Sequence, residues 1–131
     1  MKKPAAQLES LFQALGDRTR LRLLNLIADG EVCVCFFVEV LGEPQPKISR
    51  HLGVLRAADL VAARRDGKWM HYRLTMPNEL APVFENVLAT LRTDPEMNRD
   101  RAALARACCS TRVPELLKRA PKPQIGATAP N

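Results

Sequence analysis

The segment from Gln45 to Leu74, "QPKISRHLGVLRAADLVAARRDGKWMHYRL", changes its hydrophobic period halfway along. In the first half Ile48, Leu52 and Leu55 fall within about 60° of one another at ~100° per residue, the buried stripe of a helix, with Lys47, Arg50 and Val54 on the opposite side. "EPQP" (Glu43–Pro46) leads into it, with Pro44 suited to a turn and Pro46 to a first helical turn. In the second half Asp66-Gly67 stands between two runs rich in strand formers, the short-range signal of a β-hairpin. Met70, Tyr72 and Leu74 alternate there with Trp69, His71 and Arg73, so one set is expected to face the core. A helix followed at once by a hairpin predicts a winged helix-turn-helix, mainly α with a small β-hairpin wing, whose second helix enters the major groove of DNA.

Outward from this segment the period is helical. Leu8, Leu11, Phe12 and Leu15 share one face of a helix that Gly16 ends. Asp17 has the chemistry of an N-cap for a second helix, with Leu23, Leu24 and Ile27 buried and Gly30 at the C′ position. Val34, Phe37, Val38 and Leu41 form the stripe of a short third helix, stopped by Gly42, with Phe36 facing away from it. Beyond the hairpin, Leu80, Val83, Phe84, Val87, Leu88 and Leu91 give a wide apolar stripe over three turns. "TDPE" then offers two ways to start a last, Arg-rich helix: a capping box of Thr93 with Glu96, or an Asp94 cap with Pro95 at the first position. The expected organisation is a DNA-binding and dimerisation domain over 1–92, a cysteine-bearing helical extension over 93–120 and a disordered tail over 121–131.

The chain has 131 residues, enough for one domain, and a net charge of +6. Residues 44–75 carry seven basic and two acidic side chains, a balance of +5, so nearly all the excess is concentrated there. A localised basic segment is the footprint of a nucleic-acid contact. Gln45, Lys47, Ser49, Arg50 and His51 crowd the N-terminal half of the second helix, where groove-reading side chains sit. Arg64, Arg65 and Lys68 flank the hairpin tip, within reach of a neighbouring phosphate or the minor groove. "MKK" is followed by polar residues rather than an apolar signal core, and no apolar run reaches the roughly 18 residues of a membrane span. The expectation is a cytoplasmic protein with no membrane partner, in which clustered cysteines stay reduced and read as metal or redox chemistry.

The stretch from Glu31 to Leu74 resembles the ArsR/SmtB family of metalloregulatory repressors, and within it the arsenic-responsive members. "CVC" before the turn, "QPKISRHL" in the recognition helix and "GKWMHYRL" in the wing all match, in order and spacing, within a similarity that covers roughly residues 8 to 92. The resemblance implies a homodimeric repressor that binds an inverted repeat in double-stranded operator DNA. Release would come when trivalent arsenic or antimony, or a methylated arsenical, binds the cysteines. It also implies that the first helix and "LAPVFENVLATL" build the dimer interface. The family commonly has a third cysteine where Val38 stands and an acidic residue where Phe36 stands, so the local three-thiol set is incomplete.

Four cysteines are available: Cys33 and Cys35 in "EVCVCFF", and Cys108 and Cys109 in "RACCS". Soft thiolates select soft ions, and trivalent arsenic, with its lone pair, prefers about three of them in a pyramid. Three arrangements stand open: Cys33 and Cys35 joined by Cys108 or Cys109 of either subunit, Cys108 with Cys109 alone, or two separate two-thiol sites. Residues i and i+2 lie about 200° apart around a regular helix and do not face each other. Cys33 and Cys35 can therefore grip one ion only if the first turn is unwound, or if binding unwinds it. A thiol at a helix N-terminus is also expected to have a lowered pKa. Neither His51 nor His71 stands at ligand spacing to a cysteine in the sequence, and both are expected at a surface or interface.

Rival readings are a zinc or cadmium sensor of the same fold, and a thiol–disulfide switch with Arg106 and Arg112 activating Cys108 or Cys109. The absence of His and Asp from Asn78 to Arg92 counts against an interfacial zinc site there. No phosphate-cradling loop, Cys-X5-Arg run or cofactor fingerprint points to an enzyme.

Overall fold

The fold is that of a computed structural model, which describes residues 3–109 and 120–123. Helix α1 (Pro4–Leu15) ends at Gly16, and Asp17 caps α2 (Arg18–Ile27), its carboxylate accepting from the Arg20 N–H at 3.1 Å. Helix α2 ends one residue earlier than Gly30 at C′ suggests, with Ala28 as its C-cap. A two-residue strand, β1 (Val32–Cys33), then leads directly into α3 (Val34–Leu41), which stops at Gly42 with φ of +66°. Helix α4 (Gln45–Ala57) buries Ile48, Leu52 and Leu55 completely, as its stripe predicts. Asp59 turns the chain with a left-handed φ of 62°, and the Leu60 N–H reaches back to Leu55 O at 3.0 Å. That closure sends the chain into the wing.

The wing strands β2 (Val61–Asp66) and β3 (Trp69–Leu74) are antiparallel with Asp66 opposite Trp69. The two turn residues are therefore Gly67 and Lys68 rather than Asp66-Gly67. Gly67 has φ of +60°, the positive φ that a II′ hairpin needs at its first central position. The sheet has a third strand: β1 pairs with β3, giving the order β1-β3-β2. This addition breaks the expected alternation, because β3 is now central. His71 becomes its most buried residue, while Met70, Tyr72 and Leu74 are only half-buried.

A 3₁₀ turn (Asn78–Leu80) opens α5 (Ala81–Leu91), and α6 (Pro95–Cys109) follows. The start of α6 uses the Asp94 cap, whose carboxylate accepts from Met97 N–H at 3.1 Å. Helix α6 packs on α2 and α3. Arg22 donates to both oxygens of Asp100 at 2.7 and 2.9 Å, and the buried Asn25 amide donates to Met97 O at 2.9 Å. Met97, Asp100 and Leu104 are buried. Phe36, expected to face away from the core stripe of α3, is fully buried, so α3 is apolar on two faces. The expected tail lies outside the described residues except at 121–123.

Candidate DNA-reading surface and thiol site

Gln45, Ser49 and Arg50 are exposed on the outer face of α4, opposite its buried stripe. Lys47 is half-buried and paired with Glu43 at 3.1 Å, one helical turn earlier. His51 turns inward. Its Nδ1 accepts from the Arg20 guanidinium at 3.2 Å and lies 3.6 Å from Asp17. Arg20 also donates to Ala14 O at 2.6 Å, so His51 ties α4 to the α1–α2 junction.

The wing tip presents Arg65 and Lys68 to solvent, with the Lys68 ammonium 5.1 Å from the centre of the Trp69 ring. Arg64 is engaged elsewhere. Its guanidinium donates to Glu31 at 2.6 Å through Nη2 and at 3.2 Å through Nε. This contact holds the Glu31 carboxyl below its ordinary pKa.

Glu31 precedes the strand that carries the first thiol. Cys33 ends β1 and is the N-cap of α3, with extended backbone at φ −73°, ψ 142°. Only Cys35 of the pair lies inside the helix, so the helical azimuth that separates i from i+2 does not apply. The two sulfurs lie 3.2 Å apart. The first turn is therefore open at Cys33. Both thiols are buried and free. Burial first, and the neighbouring Cys33 thiol second, push the Cys35 pKa up to about 12. The expected lowering by the helix N-terminus is thus overturned at Cys35, because desolvation of the thiolate outweighs the helix dipole.

Cys108 is buried, and its thiol donates to Pro123 O with the sulfur 3.8 Å from that oxygen. Cys109 closes α6, and its side chain lies outside the described residues, as does Arg112. Among the described residues no three His, Cys, Asp or Glu side chains are gathered where they could hold one ion. Cys108 therefore does not complete the Cys33–Cys35 pair in this conformation of a single chain.

Sequence reasoning missed β1, the Glu31–Arg64 link and the burial of His71. A two-residue strand leaves no period to detect. His71 alternates with Trp69 and exposed Arg73, which hides its burial in the central strand. Among the described residues no helix is long and apolar enough to cross a membrane.

The profile described as "Bacterial regulatory protein, arsR family" matches residues 17–63. An arsenical resistance operon repressor of Escherichia coli K12 is 50% identical over 66 residues, 50% of this chain and 56% of the relative. The match thus spans little more than half of that relative. An arsenic resistance transcriptional regulator of Pseudomonas putida is 42% identical over 93 residues, 70% of this chain and 80% of the relative. Among solved structures, the transcriptional repressor BigR from Xylella fastidiosa has 33% identity and a TM-score of 0.58, covering 67% of this chain and 86% of its own. A homodimeric winged helix-turn-helix domain from Mycobacterium bovis has 30% identity and a TM-score of 0.58, covering 67% and 81%.

Proposed function

The chain belongs to the arsR family of bacterial regulatory proteins, DNA-binding regulators rather than enzymes, and on that premise we propose that it is a homodimeric repressor released from operator DNA by trivalent arsenic or antimony. The observation that carries the reading is the Cys33–Cys35 sulfur pair, 3.2 Å apart at the point where β1 becomes α3. On one side that junction is hydrogen-bonded into the wing through β3, and on the other α3 packs on α4. A ligand that tightens the pair therefore pulls on both elements of the DNA-reading surface.

The protonation of the pair bears on which ligand. The 3.2 Å separation is that of a hydrogen bond between two thiols, with both sulfurs within reach of one small centre. The site is also buried, with the Cys35 thiol held protonated. Arsenous acid is neutral and condenses with neutral thiols, each thiol proton leaving with an arsenic hydroxyl as water. A zinc or cadmium ion would have to expel protons and leave charge in an apolar pocket, without the four ligands zinc favours. The raised Cys35 pKa likewise disfavours a thiol–disulfide switch at this pair, because the thiolate is the reactive form. Cys108 and Cys109 stand as a second thiol pair on α6, and a contribution from the partner subunit's α6 would be the route to a three-thiol site.

The test is fluorescence anisotropy with labelled DNA from upstream of the protein's own coding sequence. Stoichiometric arsenite should release the wild type, while Cys33→Ser and Cys35→Ser should bind DNA within about twofold of wild type and stay bound. A 100-fold loss of affinity on ligand binding needs only about 2.7 kcal/mol of coupling. Release of both variants by arsenite would sink the reading.

A further inference from the structure

Directly opposite Cys33 in the β1–β3 ladder stands His71, and Arg64 stands opposite His71 on β2. Opposed residues of an antiparallel pair project from the same face with Cβ atoms about 4.5–5.5 Å apart. The Cys33 thiol and the imidazole therefore share one face of the sheet. His71 is only 5% exposed. Its Nδ1 lies 3.9 Å from a Glu31 carboxylate oxygen, which favours the ring proton on that nitrogen and leaves Nε2 as an acceptor. Nε2 is buried and has no hydrogen-bond partner among the described residues. Buried polar atoms are nearly always paired, and an orphan beside a ligand-binding pair of thiols calls for a reason.

We propose that His71 Nε2 accepts a hydrogen bond from the hydroxyl that arsenic retains when Cys33 and Cys35 alone hold it, and so selects inorganic arsenite over methylated arsenicals. The inference rests on the thiol reading above. Arsenous acid carries three hydroxyls. Each condensing thiol exchanges one As–O bond for one As–S bond. The thiol proton and the departing hydroxyl leave as water, with no change of oxidation state. Two thiols leave one hydroxyl on arsenic, and Val38 in the place of a third cysteine cannot displace it. A hydroxyl carried into a buried apolar site needs an acceptor, and His71 holds one without another partner. Methylarsonous acid reacts with the same two thiols but presents a methyl group instead, leaving Nε2 unpaired. Sites built to bond a hydroxyl discriminate against analogues lacking it, because their own polar atom is stranded.

Trp69 is the only tryptophan and lies two residues from His71, so its fluorescence reports titration of the full chain with each arsenical. His71→Leu should weaken arsenite binding about tenfold, the scale of one hydrogen bond, and leave methylarsonous acid unchanged or tighter. His71→Gln, which restores an acceptor, should recover part of the difference. Native mass spectrometry of the arsenite complex should show arsenous acid less two waters. Equal weakening of both ligands, or of neither, overturns the proposal, as does a complex that has lost three waters. If wild type binds neither arsenical, the thiol reading fails rather than the role of His71. Circular dichroism checks folding, and His71→Phe, a flat ring without nitrogen, replaces His71→Leu should that variant not fold.

Discussion

A single thiol sets one condition on this protein's stability. Cys35 is held protonated by burial, its pKa pushed from 9.0 to about 12. The neutral form is the one the fold prefers. The contribution is thus fully present below pH 9, where the unfolded chain also keeps its proton, and is lost as pH rises toward 12. Thermal melts from pH 8 to 11 should show Tm falling more steeply for wild type than for Cys35→Ser, which has no thiol to titrate there. Parallel slopes would show that Cys35 is not the group responsible. At this scale the four cysteines were legible because their types and pairing are chemically rare. The extended backbone at Cys33 was not, since it depends on β1 pairing with a strand nearly forty residues away. That pairing turned an azimuthal obstacle into a preformed pair. His71 escaped for the same reason: its neighbours in space, Cys33 and Glu31, come from a different part of the chain.

Between elements, two ion pairs have different jobs. Arg64 sits on the wing among the cations expected to meet DNA, yet it is paired with Glu31 at the mouth of the thiol strand. Both side chains keep contact with water, so the pair adds little to stability, and its consequence is to occupy a cation. Glu31→Gln should free Arg64 for a phosphate, tightening DNA binding a few-fold at low salt and steepening the salt dependence by about one counterion. Anisotropy titrations across a salt series measure both, and an unchanged slope would leave Arg64 off the interface. Asp100 and Arg22 form the other pair, bidentate and largely shielded, between α6 and α2. Asp100→Ala strands the Arg22 guanidinium and should cost about 2 kcal/mol, read as a lower midpoint in urea. A midpoint within error of wild type would mean that α6 docks by its apolar side chains alone. The sequence pattern located α1 through α5 and the hairpin, because each carries its own period or turn signal, but not the hairpin's turn register or its buried face. It could not show α6 docked on α2 and α3, because α6 is polar along most of its length and its polar partners on α2 are single residues, Arg22 and Asn25.

At the scale of the molecule, the stripe on α5 is wider than one chain uses. Phe84 and Leu91 are buried, but Val83, Val87 and Leu88 remain half-exposed. Phe12 on α1 is 59% exposed, and α1 packs against the 3₁₀ turn that opens α5. A large exposed aromatic on α1 and an unfinished apolar stripe on α5 are the kind of surface that symmetric dimers cover. The similar winged helix-turn-helix domain from Mycobacterium bovis is homodimeric. On the proposed reading, dimerisation would couple to sensing because two recognition helices would have to meet successive major grooves about 34–36 Å apart. A small movement at each Cys33–Cys35 junction would then be read twice, once per half-site. Phe12→Glu tests the whole chain of reasoning. Its side chain already faces water in the single chain, so folding should be unaffected by circular dichroism. A charge at the centre of a symmetric contact meets its own copy, and sedimentation should show a monomer at concentrations where wild type is a dimer. Operator affinity should fall by at least about 100-fold, since a lone half-site forfeits its partner's contacts, while arsenite binding to Cys33 and Cys35 persists. A Phe12→Glu protein that stays dimeric would move the interface away from α1, and one that is monomeric yet binds DNA as tightly as wild type would break the link between dimer spacing and repression.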